Sequence, residues 1–195
     1  MKMNSLYAFV FRGLLTEEAL DHTSSKRRQA LGPTLDSDLA KRLPFDYLDQ
    51  NRITTARRMA TVYTAIAAFE NTVREFIVKR LLEEVGEEWW SQNVPEGVRK
   101  RAESRQQIET QVRWHTPRGD SPINYTEFGD LSSIVGTPAN WPLFESHLNS
   151  LEWAKQIFRT LEYSRNVIMH SGELSVEDVE RVASAMRDWI KQVGA

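Results

Sequence analysis

The residues of this chain that could do chemistry crowd into one stretch, Arg165-Asn166-Val167-Ile168-Met169-His170. It closes a helical pattern in which Leu151, Ala154, Phe158 and Leu161 mark the buried stripe. Arg165 lies seven residues after Phe158, so at about 3.6 residues per turn it falls close to that stripe. A guanidinium there is costly unless something pairs with it: an acid inside the protein, a second subunit or a phosphate. Glu70, between Ile66 and Val73 on the apolar side of another long helix, is the internal candidate. Arg74, one turn later, could take Glu70 for itself. Asn166 and His170 share a helix face, whereas Arg165 and His170 diverge by roughly 140° around an ideal helix. Either the helix loosens towards Ser171-Gly172, or two copies of the motif complete each other across a two-fold axis. The plainer reading is a structural arginine and a histidine at the negative end of a helix dipole.

Other chemistries find little support. The chain has no cysteine, which removes disulfides, thiolate nucleophiles and cysteine-ligated zinc. His22, His115 and His147 show no metal-ligand spacing with one another or with His170, and no H-E-x-x-H, P-loop or dinucleotide fingerprint is present. Ser132 and Ser133 have no nucleophile-elbow context. We therefore expect no metal and no cofactor. The net charge of -2 provides no global pull towards nucleic acid, so any such contact must come from a local patch. The candidate patch is Arg99, Lys100, Arg101, Arg105 and Arg113, on a helix expected over 96–114. It reads as an RNA track or, with Glu103 and Glu109 interspersed, as a solvated helix face. Trp114 and His115 could stack on a base. The six tryptophans (89, 90, 114, 141, 153 and 189) nevertheless read mainly as core.

The elements that must position these residues are helical. Met59, Tyr63, Ile66, Phe69, Val73, Phe76 and Ile77 recur at helical spacing over 54–84, and Gly86 offers a stop. A short apolar piece over 128–135 leads into a turn around Pro138 and Pro142. Ser150 is a plausible N-cap for the motif helix, and Gly172 ends it. Ser175-Val176-Glu177-Asp178 starts a last helix, with Val179, Val182, Met186, Trp189 and Ile190 as its apolar face. With 41% hydrophobic and 27% charged residues, the chain falls in the range of soluble globular proteins. The expected architecture is an all-α bundle of antiparallel helices over 51–195, with residues 1–50 as an extension packed on it. In that extension residues 5–15 are apolar and Thr16-Glu17-Glu18 resembles a helix start. Arg12 interrupts the apolar run, no small-residue cleavage site follows, and no stretch approaches the ~20 apolar residues of a membrane span. The expected location is cytoplasmic.

Arg165 to His170, leading into Ser171-Gly172 after a long amphipathic helix, resembles the signature of the HEPN superfamily. Phe69 to Ile77 is similar to the acid-bearing early helix of Swt-type HEPN proteins. Gly86 to Trp90 and Tyr125 to Leu131 resemble their later landmarks. The likeness covers roughly residues 50–195 and implies a helical bundle that forms a homodimer through its motif helices. Many such proteins are metal-independent endoribonucleases in toxin–antitoxin, phage-defence and RNA-processing systems. The resemblance thus implies RNA as substrate, with an antitoxin or other regulatory protein as a further partner. It gives His170 the role of general acid/base, Arg165 that of phosphate anchor and Asn166 that of orienting group, with Glu70 and Arg74 in support. The RNA's own 2′-hydroxyl would be the nucleophile. The superfamily also contains non-catalytic modules that dimerise or bind nucleotides or partners.

Overall fold

The computed structural model describes residues 37–194. The chain divides into two compact units, Met1–Ile53 and Thr54–Ala195. In the first, a helical turn over 37–42 breaks at Leu43-Pro44 and a 3-10 turn follows over Phe45–Tyr47. The apolar run over 5–15 and the helix start at Thr16 lie outside the described residues.

Helix α1 spans Gln50–Val85, starting four residues before the periodicity predicts. Asp49 is the reason. Its Oδ1 accepts from the backbone N–H groups of Asn51 and Arg52 at 2.9 and 3.0 Å, a side-chain cap that precedes the first core-facing residue. Gly86 ends the helix with φ +88°, a conformation glycine adopts without a steric penalty. Short α2, Trp89–Asn93, and α3, Glu96–Gln111, follow. A loop and the 3-10 turn Pro122–Tyr125 lead to α4, Phe128–Val135.

The stretch around Pro142 is a helix rather than a turn: α5 runs Trp141–Leu148 with the proline in its first turn, where a missing N–H costs nothing. Before it, Asn140 is fully buried and satisfied. Its side-chain amide donates to the carbonyls of Asn93 and Ile134 and accepts from Asn93. The motif helix α6 is Leu151–Met169, capped by Ser150, and α7 is Val176–Val193, opened by a Ser175–Asp178 capping box. Among the described residues there is no strand, and no helix is long and apolar enough to cross a membrane.

The core lies where α1, α6 and α7 meet. Ile66, Val73, Ile77 and Leu81 of α1 are fully buried, as are Ala154 and Leu161 of α6. Trp189 of α7 packs against Phe69, Phe76 and Phe158 at ring distances of 5.9, 5.9 and 5.3 Å and stacks on Trp153. Three apolar expectations fail: Tyr63 is 37% exposed, Ile190 is 59% exposed, on the solvent side of α7, and Trp114 is 86% exposed. Helix α3 stops at Gln111, and the buried Ile123 and Tyr125 fill the core below the following loop. α1 and α6 run antiparallel: Glu70 faces Arg165, while Met59 meets Leu174 just beyond the end of α6. That arrangement brings the early acid to the motif.

Candidate functional site

Glu70 is buried between two arginines. Its carboxylate binds Arg74 on the next turn and stands 3.9 Å from Nε of Arg165. Arg74 also donates to Asn71 Oδ1 and to the Thr126 carbonyl, both at 2.8 Å. The partition seen in the sequence is thus resolved by sharing: Arg74 holds Glu70 tightly, and Arg165 approaches its other oxygen. Burial pushes the Glu70 carboxyl above its ordinary value, against the pull of the Arg74 and Arg165 guanidiniums. Burial likewise pushes Arg74 down, offset by Glu70. Arg165 keeps about a fifth of its side-chain surface exposed. It is anchored at its base yet open to an anion.

Asn166 and His170 face the other way. Both are exposed, and neither side chain makes a hydrogen bond or ion pair with a described residue. The helix stays regular through Met169, and His170 is its C-cap. Loosening of the helix therefore does not bring Arg165 and His170 together within one chain. Tyr163, Asn166, Val167 and His170 share the outer face of α6, with Tyr163 65% and Val167 40% exposed.

The terminus holding His170 is built differently from the simple glycine stop. The N–H of Gly172 donates to the Val167 carbonyl at 2.8 Å and that of Ser171 to Ile168 at 2.9 Å, the Schellman pattern. The left-handed residue is Ser171, φ +61°. Gly172 is needed for closeness instead: a Cβ there would sit 2.7 Å from Val167 Cγ1. Ser171→Gly should therefore stabilise the fold by about 0.5 kcal/mol, the relieved left-handed strain less the added chain entropy. Gly172→Ala should cost about 1–3 kcal/mol. Urea unfolding midpoints will show the opposite signs.

The basic segment divides. Arg101 and Arg105 converge on buried Asp130: Arg101 reaches one oxygen through Nε at 3.0 Å and Nη2 at 2.6 Å, and Arg105 the other at 2.7 Å. Arg105 also donates to the Tyr125 carbonyl. Arg99 donates to the Val94 carbonyl and Lys100 pairs with Glu96. Only Arg113 of the five is exposed and without a hydrogen bond or ion pair to a described residue. Asp130 was not singled out from the sequence. The signal is its place three residues after Glu127, with which it forms the capping box of α4. Burial pushes its carboxyl up, but hydrogen bonds from Arg105 and Arg101 outweigh burial and hold it below its ordinary 3.8. The stability it contributes is therefore present above that value and lost as pH falls through the lower folded value. Asp130→Asn should lower Tm at pH 7, and the gap to the parent should shrink below about pH 4, as read by circular dichroism melts from pH 7 to 3.

Among the described residues no group of three or more histidines and acids could hold a metal ion. Neither a curated protein nor a solved structure matches the chain. The family model for Swt1-like HEPN domains matches residues 64–194, from the middle of α1 to the end of α7. Domains of this family are commonly ribonucleases or nucleotide-binding modules and often dimerise. With helices and no strand among its described residues, and matched from the buried acid of α1 past the motif of α6, the chain belongs to the Swt1-like HEPN family.

Proposed function

We propose that the protein is a metal-independent endoribonuclease whose active site is completed across a homodimer. The observation that carries this reading is the division of labour on α6. Arg165 is tied at its base to buried Glu70, while Asn166 and His170 stand on the outer face without a partner among the described residues. A second α6 laid against that face would place His170 of one protomer beside Arg165 of the other, with Tyr163 and Val167 buried between them. In the proposed reaction the RNA 2′-oxygen attacks the adjacent phosphorus. The bond from phosphorus to the 5′-oxygen breaks, leaving a 2′,3′-cyclic phosphate and a 5′-hydroxyl. His170 takes the 2′-hydroxyl proton or supplies one to the departing 5′-oxygen, and solvent water exchanges the proton at the other end. Arg165 stabilises the extra negative charge on the phosphoryl oxygens, and Asn166 orients the histidine or the phosphate. Residues 1–50 are proposed as an extension to the domain, and toxin–antitoxin or phage-defence work as its setting.

The test is cleavage of total RNA in excess EDTA by the parent, His170→Ala and Arg165→Ala proteins. Cleavage by the parent alone, leaving cyclic-phosphate ends, supports the proposal. Equal signal from all three defeats it. A second reading, a non-catalytic module for dimerisation or for nucleotide or partner binding, draws on two observations: the net charge of -2 and the absence of an orienting partner for His170 among the described residues. Silence from all three proteins would favour it.

A further inference from the structure

Trp114 is the most exposed tryptophan in the described chain, 86% open, and it stands on a braced loop. Glu109 clamps Arg118 through its guanidinium at 2.6 Å and its backbone N–H at 3.0 Å. The Tyr125 hydroxyl donates to the Gly119 carbonyl at 3.0 Å, and the Arg118 guanidinium lies 5.9 Å from the Tyr125 ring centre. Gly119, φ +154°, presses so closely on Asn124 that a Cβ would collide with it. Beside Trp114, the His115 ring stands nearly perpendicular at 5.7 Å. Its Nδ1–H donates to the Thr116 carbonyl at 2.9 Å. A ring carried by a braced loop loses less freedom on binding than one on a mobile segment.

Two observations choose the occupant. The segment 99–118 carries six basic residues against two acidic ones, in a chain of net charge -2, and exposed Arg113 precedes Trp114 in the chain. The loop also borders the candidate site. Thr126, next to the loop's anchor Tyr125, accepts from Arg74 at 2.8 Å. An aromatic face beside a free cation suits an unstacked base and its phosphate. A duplex offers no free base face.

We propose that Trp114 and Arg113 form a stacking platform for single-stranded RNA, receiving a nucleotide that flanks the bond presented to Arg165 and His170. The identity of the occupant rests on the ribonuclease reading. The test is fluorescence anisotropy with a labelled 12-nucleotide single strand and its duplex, using full-length His170→Ala protein so that nothing is cut. Trp114→Ala should weaken single-strand binding by about tenfold, and Trp114→Phe should restore most of it. Arg113→Ala should reduce the salt slope by about 0.7, one phosphate contact on a single strand. Single-strand affinity of Trp114→Ala within about twofold of the parent would overturn the platform, as would equal loss on the duplex or no RNA binding at all. Unchanged RNA affinity with an altered oligomeric mass would also overturn it and assign the patch to protein contact. The two readings separate cleanly. Trp114-dependent binding in a protein that never cuts RNA keeps the platform and removes the enzyme. Cutting with Trp114-independent binding does the reverse.

Discussion

His170→Ala is expected to slow RNA cleavage at least about 100-fold, the usual scale for losing a general acid/base, and Arg165→Ala to do comparable damage through the lost charge on the phosphate. His170→Ala should leave Tm within a degree or two, because His170 is exposed and makes no hydrogen bond or ion pair with a described residue. The geometry makes a sharper demand. If Arg165 and His170 act together from different protomers, mixing the two inactive variants must restore activity. Each mixed dimer then has one site with both residues intact and one with neither. With free exchange, half the dimers are mixed, so about a quarter of parental activity should return. The measurement is the cleavage rate after co-incubating Arg165→Ala with His170→Ala. No recovery, when labelled subunits are seen to exchange, would show that the pair works within one chain or not at all. A protein that is monomeric at working concentration would sink the composite site outright.

Glu70→Ala carries the largest expected loss of stability, about 3 kcal/mol. The carboxylate is 8% exposed and Arg74 15% exposed, so removing the acid strands a buried guanidinium whose remaining partners, the Asn71 side chain and the Thr126 carbonyl, are neutral. Arg74 Nε is already without a hydrogen-bond partner, which makes the loss harder to absorb. Arg165, more exposed, can turn towards water, which keeps the cost at the lower end of what breaking a buried pair produces. For a chain of this size the expected fall in Tm is roughly 10 °C. Glu70→Gln, which keeps the shape and an acceptor oxygen, should lose about half as much. Both variants should lower kcat beyond what reduced folding explains, because Arg165 loses its anchor. An unchanged Tm in Glu70→Ala would mean that the buried Glu70–Arg74 pair contributes nothing to the fold.

The helices that carry the site were legible because helical periodicity and capping act over a few residues. Ser150 and Ser175 cap α6 and α7 where their spacing predicts, and Ile66, Phe69, Val73 and Ile77 turn inward together. Pro142 misled, since a proline that ends one helix equally begins another, and only the chain on both sides decides which. Trp114 misled for a related reason. An indole is apolar wherever it stands, and only the packing of the whole chain decides that Ile123 and Tyr125 are buried while Trp114 stays outside.

The sequence by itself determined the all-helical class, the placement of Arg165, Asn166 and His170 at the end of one helix, and the divergence of Arg165 from His170, all consequences of the α-helical repeat. Tertiary structure alone decided the partners. It brought Glu70 of α1 to Arg165 of α6, drew Arg101 and Arg105 onto Asp130, and left Arg113 exposed with no partner among the described residues. Ion pairs between distant residues depend on how helices cross, and no local spacing encodes that crossing.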